Sequence, residues 1–180
     1  MKTDLRHAAI TMAAVALSGI ALGLLWLWLA PRVPWVSTET ALFADDAAGE
    51  QAAGADATFA LLAVGFGVLS AAAVFWIRRR GGVALVIGLA LGGLLASALA
   101  WGVAVLIGPS EADVIAQARA ADPGSTFEGP LELHSYAALL AWPVAAMLVH
   151  LALTALFGPR DPEPEWPMPG PQPPLGGGPS

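Results

Sequence analysis

Arg78-Arg79-Arg80-Gly81-Gly82 separates two long apolar runs, Thr58 to Ile77 and Val83 to Ile107. Neither run contains an Asp, Glu, Lys or Arg, and they are 20 and 25 residues long. At about 1.5 Å per residue, 20 helical residues cross a hydrocarbon core of about 30 Å. The three arginines stand where the chain has to turn and go back, so the two runs read as consecutive membrane spans. The longer one has length to spare for tilt.

Two further runs have the same character. Ala8 to Leu29 is 22 residues without a charge. A cleaved signal peptide is the competing reading, but its apolar region is about 7–15 residues long, and Ala30-Pro31 is a poor cleavage site. A retained span is therefore expected, with Trp26 and Trp28 as interfacial aromatic anchors at its exit. Tyr136 to Leu156 gives a fourth span of 21 residues, interrupted by Pro143, which removes one ladder bond and can kink it. Composition agrees: the chain is 57% hydrophobic and 12% charged, with a mean hydropathy of +0.68, whereas soluble domains carry about 25% charge.

Between the spans lie two polar loops. Pro31 to Ala57 holds Arg32 and the acids Glu39, Asp45, Asp46, Glu50 and Asp56. Trp35–Thr38 and Ala41–Phe43 are expected to pair as a small hairpin, and Asp46–Ala53 to form one or two helical turns. In the second loop, Ser110 to Ser135, the serine-x-x-acid spacing of Ser110 and Asp113 marks a helix N-terminus. A short helix from Glu111 to about Ala121 is expected, then an extended Thr126-Phe127-Glu128. Residues 158–180 contain nine prolines and read as a disordered tail of polyproline II character.

Charge sets the expected orientation. Lys2, Arg6, Arg78, Arg79, Arg80 and Arg160 are six of the eight cations, and they lie on one side of the four spans. The two loops hold ten of the fourteen acids. The positive-inside rule places the cationic side in the cytoplasm, giving both termini inside and two acidic extracytoplasmic loops that can pack together as a cap. The expected fold is an all-α membrane protein, a four-helix bundle of the bacterial cytoplasmic (inner) membrane. Arg78, Arg79 and Arg80 are expected to anchor this topology and to meet anionic lipid.

Helix association in lipid rests on close approach of small residues rather than on hydrophobicity. Gly19 with Gly23, and Gly88 with Gly92, are both GxxxG patterns, and Gly65, Gly67 and Gly93 add flat surface. They suit either an internal bundle or a homo-oligomer. Polar side chains at depth are few. His150, in the fourth span, reads either as a functional group (haem ligand, proton relay or quinone contact) or as a neutral imidazole hydrogen-bonded to Ser70 or Ser18. His134, placed 16 residues earlier on the same helix, and His7, at the interface, are poor partners for a shared haem.

The absences narrow the chemistry. Without cysteine there are no disulfides, zinc–thiolate sites or thiol nucleophiles. Ion-coupled carriers usually need an ionisable group at depth, and a small multidrug exporter would carry a glutamate in its first span. An ABC permease needs a coupling helix that a five-residue turn cannot supply. No P-loop, nucleophile elbow or calcium loop is present, and no basic footprint for nucleic acid.

Leu29-Ala30-Pro31, Gly54-Ala55-Asp56 before Phe59, Gly65-x-Gly67, Arg78–Gly82, Gly108-Pro109, Ala141-Trp142-Pro143 and Phe157-Gly158-Pro159 together resemble an actinobacterial, streptomycete-type family of small four-span membrane proteins of unknown function. The resemblance covers about residues 22 to 161 and implies the same fold, with no catalytic residue to transfer. Members are sometimes labelled transporter permeases. The reading that results is a non-enzymatic membrane accessory or scaffold, without cofactor, in contact with membrane lipids and with a membrane-protein partner or further copies of itself. The alternatives are a component of a permease assembly and a redox or haem-linked subunit using His150.

Overall fold

In the computed structural model the described residues are 2–37, 42–44, 48–78, 82–122 and 124–158. They form α1 (Lys2–Leu29), β1 (Pro34–Ser37), β2 (Leu42–Ala44), α2 (Ala48–Ile77), α3 (Val83–Ile107), α4 (Glu111–Ala120), β3 (Thr126–Glu128) and a 3-10 turn, Tyr136–Leu140, that runs into α5 (Ala141–Phe157). Four of these units are long and apolar enough to cross a membrane: α1, α2, α3 and the 3-10 turn with α5. Thr38, Ala41, Arg79, Arg80, Gly81 and the tail from Pro159 lie outside the described residues.

The helix seams are lined mainly by small residues, with Trp26, Phe59, Leu89 and Trp142 as the large side chains buried among them. Along α2 the buried positions Ala55, Phe59, Ala63, Gly67, Ala71 and Phe75 recur every four residues. Along α3, Gly88, Gly92, Ala96, Ala100 and Ala104 do the same. Leu61, Leu69, Leu106, Leu148 and Leu151 face outward. A spacing of four is the ridge along which right-handed helix pairs pack, and small side chains along it let backbones meet.

Close pairing follows from these stripes. A Cβ built on Gly88 would stand 2.7 Å from the Ala8 carbonyl oxygen, and one on Gly92 3.0 Å from that of Met12. Farther along, Gly23 meets Ala100 in the same way, at 2.5 Å, and Gly19 is closer still to Ala96. The matches ascend together in both helices, so α1 and α3 run parallel. The two GxxxG patterns thus serve one internal seam, each accepting the backbone of the other helix. Gly67 likewise faces Trp142 and Ala145, and Phe75 packs on His150 with ring centroids 6.3 Å apart. Hence α2 and α5 are also parallel. Gly93 lies against Trp142 and Pro143 and joins α3 to α5. Gly65, expected to add packing surface, has nothing within 4 Å of an added Cβ. The chain neighbours α2 and α3 barely touch.

The loops form one cap. β1 pairs antiparallel with β2, matching Trp35 to Ala44, Val36 to Phe43 and Ser37 to Leu42. On its other edge β1 pairs antiparallel with β3, matching Pro34 to Glu128, Trp35 to Phe127 and Val36 to Thr126. The sheet order is therefore β2-β1-β3, which places strands of both loops side by side. Arg32 Nη1 lies 3.0 Å from Glu128 Oε2 and ties the same two loops. Gly124, at φ +92°, makes the turn into β3.

Four local expectations change. α2 does not start at Thr58 but continues ten residues earlier, to Ala48. Ala48–Ala53 is rich in helix-forming Ala, Glu and Gln, and it propagates an existing helix instead of nucleating separate turns. Pro143 does not interrupt the fourth span, because it is the third residue of α5. Its ring excludes an α-helical Leu139 carbonyl, and the turn upstream winds as 3-10. His134 accordingly lies in the loop before that turn, not on the helix of His150. Trp26 is fully buried and so packs inside the bundle, whereas Trp28 is 81% exposed.

Candidate functional site

Among the described residues, the polar side chains buried in the helical bundle are Ser97 and His150. Neither Ser97 Oγ nor His150 Nδ1 has a hydrogen-bond partner. The expected bond from His150 to Ser70 or Ser18 is not made. Ser70 Oγ donates to the Gly67 carbonyl at 3.0 Å and accepts from Trp142 Nε1 at 3.2 Å. Ser18 Oγ donates to the Val15 carbonyl at 2.6 Å. The imidazole packs instead against Phe75 and the Ala71 backbone. Trp142 thus takes the role given to the histidine, as the side chain that links α5 to Ser70.

Ser18 and Ser70 do come together, across α1 and α2. They line a groove of about 320 Å³ whose walls include Ile10, Ala14, Val74 and Ile77, with Arg78 at one end. At the opposite end of the same helix pair the packing is closed. Trp26 Nε1 donates to the Ala55 carbonyl at 2.9 Å, and the Trp26 and Phe59 rings meet edge to face at 5.1 Å.

The cap end holds a second cavity, of about 360 Å³, between the first turns of α2 and the loops; Arg32, Trp35, Ala52, Leu131 and His134 line it. Arg32 is occupied by Glu128 and the Leu27 carbonyl. His134 Nε2 lies 3.8 Å from Glu132 Oε2. Asp56 fastens this region. Its carboxylate accepts the backbone N–H of His134 at 2.9 Å and that of Ser135 at 2.7 Å. Nothing in the sequence separates Asp56 from the other loop acids, except that it falls one turn before the apolar part of α2.

Beyond the Gly108-Pro109 break, α4 begins with a full capping box. Asp113 N–H donates to Ser110 Oγ at 3.3 Å, and Ser110 N–H donates to Asp113 Oδ2 at 2.9 Å. Ser110 Oγ also donates to Asp113 Oδ2, at 2.6 Å. These bonds from Ser110 hold the exposed Asp113 carboxyl below the usual aspartate range.

Among the described residues, no group of three or more His, Asp or Glu side chains is placed to hold a metal ion. No protein-family model, curated protein or solved structure matches the chain.

Proposed function

We propose that the chain is a non-enzymatic accessory or scaffold protein of the bacterial cytoplasmic membrane, crossing it four times with both termini inside. The observation that carries this reading is the close, small-residue seams of α1 with α3 and of α2 with α5. These helices meet largely through Gly and Ala, and among the described residues Ser97 and His150 are the polar side chains buried within the helical bundle. A solute route needs polar groups along a path, and here the close seams occupy that space. The orientation rests on the six cations at the termini and the arginine turn, against ten acids in the loops. On this orientation the cap is an acidic outward surface for a membrane partner. The resemblance to the streptomycete-type four-span family supports the same architecture.

Crosslinking in native membranes, affinity purification and mass spectrometry test the proposal. A reproducible stoichiometric membrane partner is the expected result. Recovery of the protein alone would overturn the accessory role. An ATPase as the partner would favour the permease reading instead.

A further inference from the structure

We propose that the groove between α1 and α2 is a binding site for an anionic phospholipid, with one acyl chain between the helices and the phosphate on Arg78. The inference does not depend on the accessory role.

The groove lies between α1 and α2, away from the end where aromatic packing closes the pair. Trp26, Phe59 and Ala55 close the pair near the cap. Toward Arg78 the facing residues include Ala14 and Ala73, too short to fill the gap, and about 320 Å³ remains. The walls are apolar, and the groove opens to the side of the bundle: Ile10 is 52% exposed and Ile77 73%. The serine hydroxyls within it already donate to carbonyls of their own helices, Ser18 to Val15 and Ser70 to Gly67. The interior therefore suits a hydrocarbon chain better than a polar solute.

The mouth has the opposite character. Arg78 is half-buried at the end of α2 and lines the groove. Arg6 and His7 stand four residues before Ile10 and Thr11, on the same face of α1 and at the same end of the groove. An apolar slot ending in cations matches a molecule with an acyl chain and an anionic head. A helix about 10 Å across cannot enter a gap of this size, which argues against a partner helix as occupant. A zwitterionic lipid offers the same phosphate but brings its own cation toward Arg78 and Arg6. A basic residue near a membrane surface favours anionic lipid enough that about tenfold preference is expected here.

The test uses the full chain, purified in detergent and offered an equimolar mixture of phosphatidylglycerol and phosphatidylcholine with identical chains. Native mass spectrometry reads the lipid retained. One phosphatidylglycerol per chain, at about tenfold preference, is expected. Arg78→Gln should remove most of that preference while leaving chain uptake. Ala73→Phe, which fills the groove, should reduce retention of both lipids, and Ala14→Phe does the same from the other wall if Ala73→Phe does not fold. Equal retention of the two lipids by the wild type overturns the proposal. So does a preference that survives Arg78→Gln and disappears in the Arg79→Gln/Arg80→Gln double variant, since the selectivity would then belong to the rest of the turn. Displacement of the bound lipid by free glycerol phosphate would also overturn it, as the site would recognise phosphate without a chain.

Discussion

Gly19 of α1 and Ala96 of α3 meet backbone to backbone, with no room between them for even a single methyl group. Glycine in a helix is normally a cost of about 0.5–1 kcal/mol relative to alanine. At this position that cost is offset by the approach it permits. Gly65, in α2, faces open space. The same substitution should therefore have opposite signs at the two sites. Gly19→Ala is expected to destabilise by about 1–3 kcal/mol through overpacking, and Gly65→Ala to be neutral or stabilising by up to about 1 kcal/mol. Reversible unfolding in mixed detergent micelles measures both, and equal effects would refute the seam.

Trp26 bridges α1 and α2 by ring contact and by its N–H to the Ala55 carbonyl. Trp26→Phe keeps the apolar contact and loses the hydrogen bond, with an expected loss of about 0.6–2 kcal/mol. Trp26→Ala leaves a cavity as well, for a loss of about 3–5 kcal/mol. Trp28→Ala, at an exposed neighbour on the same helix, should change stability by less than about 0.5 kcal/mol. The same micelle unfolding experiment ranks the three.

Asp56 holds the chain at the start of the 3-10 turn through two backbone N–H groups. Asp56→Ala leaves both without that acceptor and is expected to cost about 1–3 kcal/mol. Amide exchange at His134 and Ser135 should accelerate in this variant while the α3 core is unchanged. Asp56→Asn keeps one acceptor oxygen and should fall between the two.

The capping box of α4 gives this helix a pH response. Its bonds from Ser110 lower the Asp113 pKa on folding, so the unfolded state binds the proton more readily. The stabilisation is complete at neutral pH, above the unfolded aspartate pKa. It is lost as pH falls through the lower folded value. Protection of the α4 amides should therefore decline only in strong acid. Ser110→Ala removes both side-chain bonds and should move that decline upward, toward the ordinary aspartate range. An unchanged midpoint in this variant would exclude the Ser110 hydroxyl as the cause and leave the Ser110 backbone N–H.

The four long helices were legible because lipid imposes a simple demand, an uncharged run of sufficient length. The capping box was legible because Ser110 and Asp113 act within four residues of each other. The partners of the long helices were not, since a GxxxG pattern announces close approach without saying to which helix. The stripe from Gly88 to Ala104 at every fourth residue is visible in the sequence and could have been matched with Gly19 and Gly23. Trp26 and Trp28 look alike as letters, and only their angle around α1, about 200° apart at 100° per residue, sends one inward. Asp56 was hidden among equivalent acids because its partners lie in the other loop. Several short motifs of the sequence turn out to be packing points: Gly54 on Pro31, Gly67 on Trp142, and Gly108 at the end of α3.

The parallel pairing of α1 with α3 and of α2 with α5 interlaces the two halves of the chain. Each helix of the first half has its main companion in the second, across the arginine turn. During synthesis α1 and α2 emerge before either companion, so the N-terminal half has no finished structure to fold into. It must wait as two loosely associated helices, joined mainly at Trp26, until α3 and α5 arrive. Packing therefore completes only after the last span is released. Separately expressed halves, cut at the turn, should be short-lived alone and rescued when made together.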